Sequence, residues 1–324
     1  MSADTATTDC PDHTWDSLPE DMYIDTYGVR FAVLPTPDGG ELYLTEHGWA
    51  LRHHLVPENW YTDKQYATVG TRLDVGTATL YRVPISYKGR DEEFVTRFSR
   101  FGQDLPPVLN EFPDHLDRDV VSSAAFNDPF QEFSLIADLR HGAYGPPGVR
   151  MLTKRPLGIY VPSKRFPKWQ LTRKESLVRN ANLSLDDDFA CHPQSHHIHI
   201  DPQRDYITIY GWIKGMDAQD ACEAGLIVTS EMMALSIRVE TDLARKGFYV
   251  VDNKPRHFIV RQRADGSMLR DRNGRLIYAL IDFELLCRTD EYKAYIETQR
   301  AECRAGELGY WYCGDCIERA SRQA

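Results

Sequence analysis

Two short extended runs late in the chain, each with a carboxylate at its edge, restrict the fold more than any other feature. The first reads Val250-Val251-Asp252-Asn253-Lys254-Pro255-Arg256-His257-Phe258-Ile259-Val260, and the second Tyr278-Ala279-Leu280-Ile281-Asp282-Phe283-Glu284-Leu285. Apolar runs this short, rich in β-branched and aromatic residues, read as strands rather than helices. Between them, Asp265-Gly266 and Asn273-Gly274 are turn signals, so a hairpin is expected. Carboxylates at strand edges are placed to hold a metal ion or to orient a hydroxyl. Turn aspartates also simply end strands, so neither residue alone is diagnostic.

Composition sets the frame around these runs. The chain has 324 residues, 42% hydrophobic and 11% aromatic, enough for one large domain or two ordinary ones with a real core. A formal net charge of −10 disfavours general nucleic-acid binding. Residues 1–20 are polar and acidic, without the basic and apolar regions of a secretory signal. No stretch of about 18 apolar residues occurs, so no membrane span and a cytoplasmic protein are expected. The cysteines number seven, an odd count scattered through a long chain, which reads as free thiols in a reducing compartment.

Along the chain, residues 1–20 read as a flexible tail and 21–70 as an N-terminal β-hairpin extension turning at Pro37-Asp38-Gly39-Gly40. Residues 51–70 form a connecting segment, with aromatics including Trp60 and Tyr61 expected to pack on the next domain. Strands are expected at 73–83, 93–100, 157–161, 197–200 and 206–210. A helix opens at Asn127-Asp128-Pro129 and runs through Leu139. Residues 211–221 read as a crossing segment. The longest helix is expected over 223–246, with Leu226, Met233, Ile237 and Leu243 on one broad face and Gly247 as its stop. A short helix at 290–304 and a cysteine-containing tail close the chain.

Asp252 with Lys254 two residues on, and Asp282-Phe283 beyond the hairpin, resemble the catalytic loop and the metal-binding Asp-Phe-Gly segment of the protein-kinase-like superfamily. The resemblance spans roughly residues 70–300. It implies an α+β, two-lobed protein-kinase-like fold: a β-rich N-lobe over 71–210 and a shortened helical C-lobe over 211–324. It also implies phosphoryl transfer from ATP, with Mg or Mn as the metal. Under it, Asp252 orients the attacking hydroxyl and Lys254 offsets charge on the transferring phosphoryl group. Asp282 holds the metal, and His257 stands where the family places a metal-binding Asn; imidazole suits Mn better than Mg. Glu284 replaces the family's Gly. Gly76 belongs to a reduced phosphate-covering hairpin. Arg97 takes the position of the phosphate lysine, with Glu132 as its helix partner. Tyr210 to Met216 form the hinge, making Tyr210 and Trp212 the adenine contacts. The minimal second half fits two kinds of family member: an active small kinase with an unidentified acceptor, and a pseudokinase serving as a regulatory or scaffold module.

Three other features carry chemistry of their own. His199-Ile200-Asp201 with His257 could form the two-His, one-carboxylate site of a non-haem iron oxygenase. Cys313 and Cys316 have the spacing of half a zinc knuckle. Residues 150–179 hold nine Lys and Arg against the single acid Glu175, a docking face for an anionic partner or a solvated hairpin.

Overall fold

The computed structural model describes residues 8–73, 79–99, 126–142, 144–149, 151–167, 198, 200, 201 and 203–304, the last six as backbone only. The protein is mixed α+β, with a large antiparallel sheet and several helices. It divides into two compact units: the described residues of 1–104, 128–133 and 155–212, and those of 105–127, 134–154 and 213–324.

The first unit is organised by eight antiparallel strands: β1 (Tyr23–Thr26), β2 (Val29–Pro35), β3 (Glu41–Leu44), β4 (Thr71–Leu73), β5 (Leu80–Tyr87), β6 (Arg90–Phe98), β8 (Pro156–Val161) and β9 (Ile207–Gly211), in the order β1-β2-β3-β8-β9-β6-β5-β4. Two hairpins are sharp for a local reason. Tyr27-Gly28 and Lys88-Gly89 all have φ between 50° and 76°, the left-handed pair that a twisted two-residue turn needs. The expected hairpin about residues 36–40 is present as β2–β3. It is hydrogen-bonded to β8, with Leu44 opposite Gly158, so it continues the main sheet.

Both faces of that sheet are covered. β8 is buried along its whole length, as a strand between two apolar layers must be. One layer contains Trp49, Leu55, Val56 and Trp60 from the 45–60 connection, over Leu34, Leu42, Phe94, Tyr160 and Ile209. The Trp60 ring meets those of Phe94 and Tyr160 at 6.0 and 5.9 Å. The connection carries three short helices: α1 (Glu46–Trp49), α2 (Arg52–Leu55) and α3 (Gln65–Thr68). On the other face, Phe130 and Phe133, from the first turn of helix α4 (Pro129–His141), pack on Phe31, Tyr43 and Tyr210.

The second unit holds a four-stranded sheet of β10 (Met216–Asp217), β12 (Phe258–Val260), β13 (Tyr278–Leu280) and β7 (Leu152–Thr153), in that order. A separate ladder pairs β11 (Phe248–Val250) with β14 (Leu286–Arg288). Its helices are α5 (Ala218–Glu223), α6 (Thr229–Arg245), α7 (Asp290–Arg304) and the later turns of α4.

Several local expectations are corrected. The helix expected from 223 begins at Thr229, because Gly225 (φ 71°) ends α5 in the left-handed conformation and breaks the helical path. The crossing segment 211–221 contains β10 and most of α5, which Asp217 caps by accepting from the Asp220 amide at 2.8 Å. The buried stripe of α6 is Leu235, Val239 and Leu243. Met233 and Ile237 lie about half a turn away and are 60% and 63% exposed. Ile198 and Ile200 are not in a strand; His197 and His199 lie outside the described residues. The stop at Gly247 (φ 77°), the turns at 265–266 and 273–274, and the helix at 290–304 are as expected. No helix among the described residues is long and apolar enough to cross a membrane.

Candidate active site

The carboxylate-bearing runs meet in the second unit because two ladders pinch them together. At one end β11 pairs with β14, and the Val251 amide extends that ladder by donating to Leu285 O at 3.1 Å. At the other end β12 pairs with β13, and the Ile281 amide donates to His257 O, also at 3.1 Å. The segments 252–256 and 282–284 are the unpaired stretch between. Their backbone has no ladder partner there, and it turns.

The residues named from the sequence make two side-chain pairs here, linked through the Asp252 backbone. Lys254 Nζ stands 2.7 Å from Asp252 Oδ2. His257 Nδ1 is 3.0 Å from the Asp252 carbonyl oxygen, and its Nε2 is 3.4 Å from Asp282 Oδ2. A ring nitrogen facing a carbonyl must be the N–H donor. Nε2 and the Asp282 carboxylate then face each other as two acceptors unless a cation, either a proton or a metal ion, lies between them. Asp282 Oδ1 also accepts from the Glu284 amide at 3.1 Å, which fixes the carboxylate's rotation. Side-chain exposures of 22% for Asp252 and 29% for Asp282 leave both reachable from solvent.

An outer layer that sequence spacing does not reveal holds these groups. The Asn127 side-chain amide donates to Phe283 O and to Leu286 O, each at 2.9 Å, while its backbone amide donates to Glu284 O at 2.8 Å. The only sequence signal at Asn127 is its place before the helix start Asp128-Pro129. Asn253 Nδ2 donates to Glu240 Oε1 at 2.6 Å, tying the first loop to α6. Phe283 is fully buried, and the buried Lys154 places its ammonium 5.3 Å from the Phe283 ring centroid. Glu284 is buried beside it.

Arg97, Glu132 and Tyr210 assemble in the first unit. Arg97 on β6 is ion-paired with Glu132 on α4, and both are buried. The Tyr210 hydroxyl donates to the second Glu132 oxygen at 2.8 Å. Burial, and then the Glu132 carboxylate, hold the Tyr210 hydroxyl well above its ordinary pKa. Tyr210 is thus a buried partner of Glu132. Trp212 is half-buried, with the Arg82 guanidinium 5.3 Å from its ring centroid. Gly76 lies outside the described residues.

The alternative sites are also placed in part. Of the iron set, His199 is outside the described residues, Asp201 pairs with Arg165 at 2.8 Å, and His257 is engaged as above. Cys313, Cys316 and most of the basic residues of 150–179 are outside as well. Among the described residues, no group of three or more His, Cys, Asp or Glu side chains forms a ready metal cage.

No protein-family model and no curated protein matches this chain. Solved structures resemble it at low similarity, among them the following. WaaP in complex with acyl carrier protein is 12% identical over 73% of each chain, with a TM-score of 0.32. Rad53 1-466 in complex with AMP-PNP is 12% identical over 79% of this chain and 61% of that one, with a TM-score of 0.29. WbdD with the kinase inhibitor LY294002 is 13% identical over 65% of this chain and 34% of that one, with a TM-score of 0.25.

Proposed function

We propose that the chain is a kinase-like nucleotide-binding protein that, when active, transfers the γ-phosphoryl group of ATP to a hydroxyl. The observation that carries this is the His257 ring, which bridges the Asp252 carbonyl oxygen and the Asp282 carboxylate, with Lys254 paired to the Asp252 carboxylate. Asp282 and His257 are the metal donors. Carboxylate with imidazole suits Mn²⁺ better than Mg²⁺, and two protein donors fit a metal that completes its shell with phosphate oxygens. When bound, the metal supplies neutralisation of phosphate charge. Asp252 accepts the proton of the attacking hydroxyl as the new oxygen–phosphorus bond forms and the bond to the ADP oxygen breaks. Lys254, held on Asp252, offsets negative charge on the transferring group. Within the first unit, Arg97 paired with Glu132, and Trp212, are the nucleotide contacts that the resemblance nominates. The acceptor is a hydroxyl compound or protein of unspecified class.

A second reading, nucleotide binding without turnover, is favoured by one observation: His257 and Glu284 stand where the resembled family has Asn and Gly. Thermal-shift titration with AMP-PNP and Mn²⁺ or Mg²⁺ tests the shared part. Nucleotide at 100 times its Kd adds about 2.7 kcal/mol of stability, a rise of a few degrees in Tm. No rise at millimolar nucleotide defeats both readings. If binding occurs, radiolabel transfer from γ-labelled ATP separates them. Turnover lost in Asp252→Ala with binding retained supports the enzyme; no turnover in the natural protein supports the binding module.

A further inference from the structure

Between β12 and β13 the chain makes a small three-stranded ribbon that the phosphoryl-transfer reading does not use. Arg263 N donates to Ser267 O and Leu269 N to Arg261 O, both at 2.7 Å. Asp271 N then donates to Arg275 O at 2.8 Å and Ile277 N to Leu269 O at 3.0 Å. Its two turns are pinned. Asp265 Oδ1 accepts from the Ser267 amide at 2.9 Å, and Asp271 Oδ1 accepts from the amides of Asn273 and Arg275 at 2.8 and 3.0 Å. Both turns are thus held by their own aspartates.

Strand alternation gives it two unlike faces. Met268 and Leu276 lie on the inner one and are buried, and Arg270 beside them pairs with Glu231 at 2.7 Å. The outer face carries Arg261, Arg263 and Arg275, with half-buried Leu269 and Ile277 between them. Arg275 is matched by Asp271 at 2.9 Å. Arg261 and Arg263 lie opposite Leu269 and Ser267 instead of a carboxylate. Arg272 stands exposed on the second turn. Among the described residues, Arg261, Arg263 and Arg272 make no ion pair within 4.0 Å, and the Asp265 carboxylate on the first turn lies close enough to Arg263 to feel its charge. In a chain of net charge −10, this is a concentrated positive field on a preorganised surface.

We propose that the outer face of the 261–277 ribbon docks an extended acidic segment of a partner polypeptide. Carboxylates at alternate positions would meet Arg261 and Arg263, whose spacing is that of a strand, and apolar side chains between them would cover Leu269 and Ile277. Arginine suits this partner because its planar fork accepts a carboxylate bidentately. A nucleic acid is the less fitting occupant: no aromatic lies between Arg261 and Ile277 to stack a base, and the chain as a whole repels a long polyanion.

Fluorescence anisotropy with a labelled Glu/Thr peptide carrying two central leucines tests this, independently of nucleotide. Binding is expected to weaken as salt rises and to fall at least about tenfold in Arg261→Ala/Arg263→Ala/Arg272→Ala. All three side chains are exposed, so Tm should be unchanged, and a Tm match confirms that folding is not the cause. Arg261→Glu/Arg263→Glu should lose the acidic peptide and gain a Lys/Leu peptide. Equal peptide binding by the triple variant, no binding by the natural chain, or tighter binding of a charge-matched oligothymidylate overturns the proposal.

Discussion

His257 Nε2 faces Asp282 Oδ2 at 3.4 Å while the opposite edge of the same ring is held at the Asp252 carbonyl oxygen. The imidazole therefore spans the two segments, 252–256 and 282–284.

Replacing it with the smaller oxygen donor tests its place in the metal shell. His257→Asn should shift the metal preference of nucleotide binding away from Mn²⁺ toward Mg²⁺, because an amide oxygen is the harder ligand. A change of about tenfold in the Mn/Mg affinity ratio, or about 1.4 kcal/mol, is expected from calorimetric titrations in the two metals. An unchanged ratio removes His257 from the metal shell.

Asn127 should matter to the site beyond its effect on stability. Asn127→Ala deletes two side-chain hydrogen bonds to the Phe283 and Leu286 carbonyls. The expected cost is about 1–3 kcal/mol in chemical denaturation. If the clamp orients Asp282, metal-dependent nucleotide affinity falls while metal-free affinity holds. Equal losses in both would make the clamp structural only.

The buried Arg97–Glu132 pair makes a sharper stability prediction. Arg97→Met strands a carboxylate that is fully buried, for a loss of about 3–5 kcal/mol. Arg97→Met with Glu132→Leu removes the stranded charge and should lose less than the sum of the single variants, read from urea midpoints in a double-mutant cycle. The Tyr210 hydroxyl, left without its Glu132 acceptor, keeps the double variant below the natural protein.

Asp128 makes stability depend on pH. Its burial, opposed by hydrogen bonds from the Gln131 and Phe130 amides and the Tyr27 hydroxyl, pushes the carboxyl up to about 6. Because the folded value lies above the unfolded one, this group's contribution is fully present below pH ~4 and is lost as pH rises through about 6. Its size is on the order of 3 kcal/mol. Asp128→Asn keeps the helix cap and should flatten the decline between pH ~4 and ~6 in Tm-versus-pH curves. A slope that persists unchanged in this variant assigns the titration elsewhere.

The ends of the short strands were more legible in the sequence than what packs around them. Asp252, Lys254, His257 and Asp282 lie at turns beside short apolar runs, and local patterning marks such places. The turns at 265–266 and 273–274 were legible for the same reason. Asn127 was not: its partners Phe283 and Leu286 are far along the chain, and only tertiary pairing brings them close. The face of α6 misled in the other direction. Met233 and Ile237 are apolar and helically spaced, yet Leu235, Val239 and Leu243 win the core, since periodicity alone does not say which of two apolar stripes is covered. Gly225, with its positive φ, is the residue that sets where that helix can start.

The union of β3 with β8 bears on how the protein is made. Leu44 waits for Gly158 as its neighbour. At roughly 5–20 residues per second, the ribosome takes on the order of ten seconds to deliver it. During that interval the early meander has an open edge with unsatisfied backbone groups, the kind of surface on which nascent chains stick to one another. Holding factors in the cell should therefore engage this protein early in synthesis, and slowing translation between the two strands should lower its soluble yield.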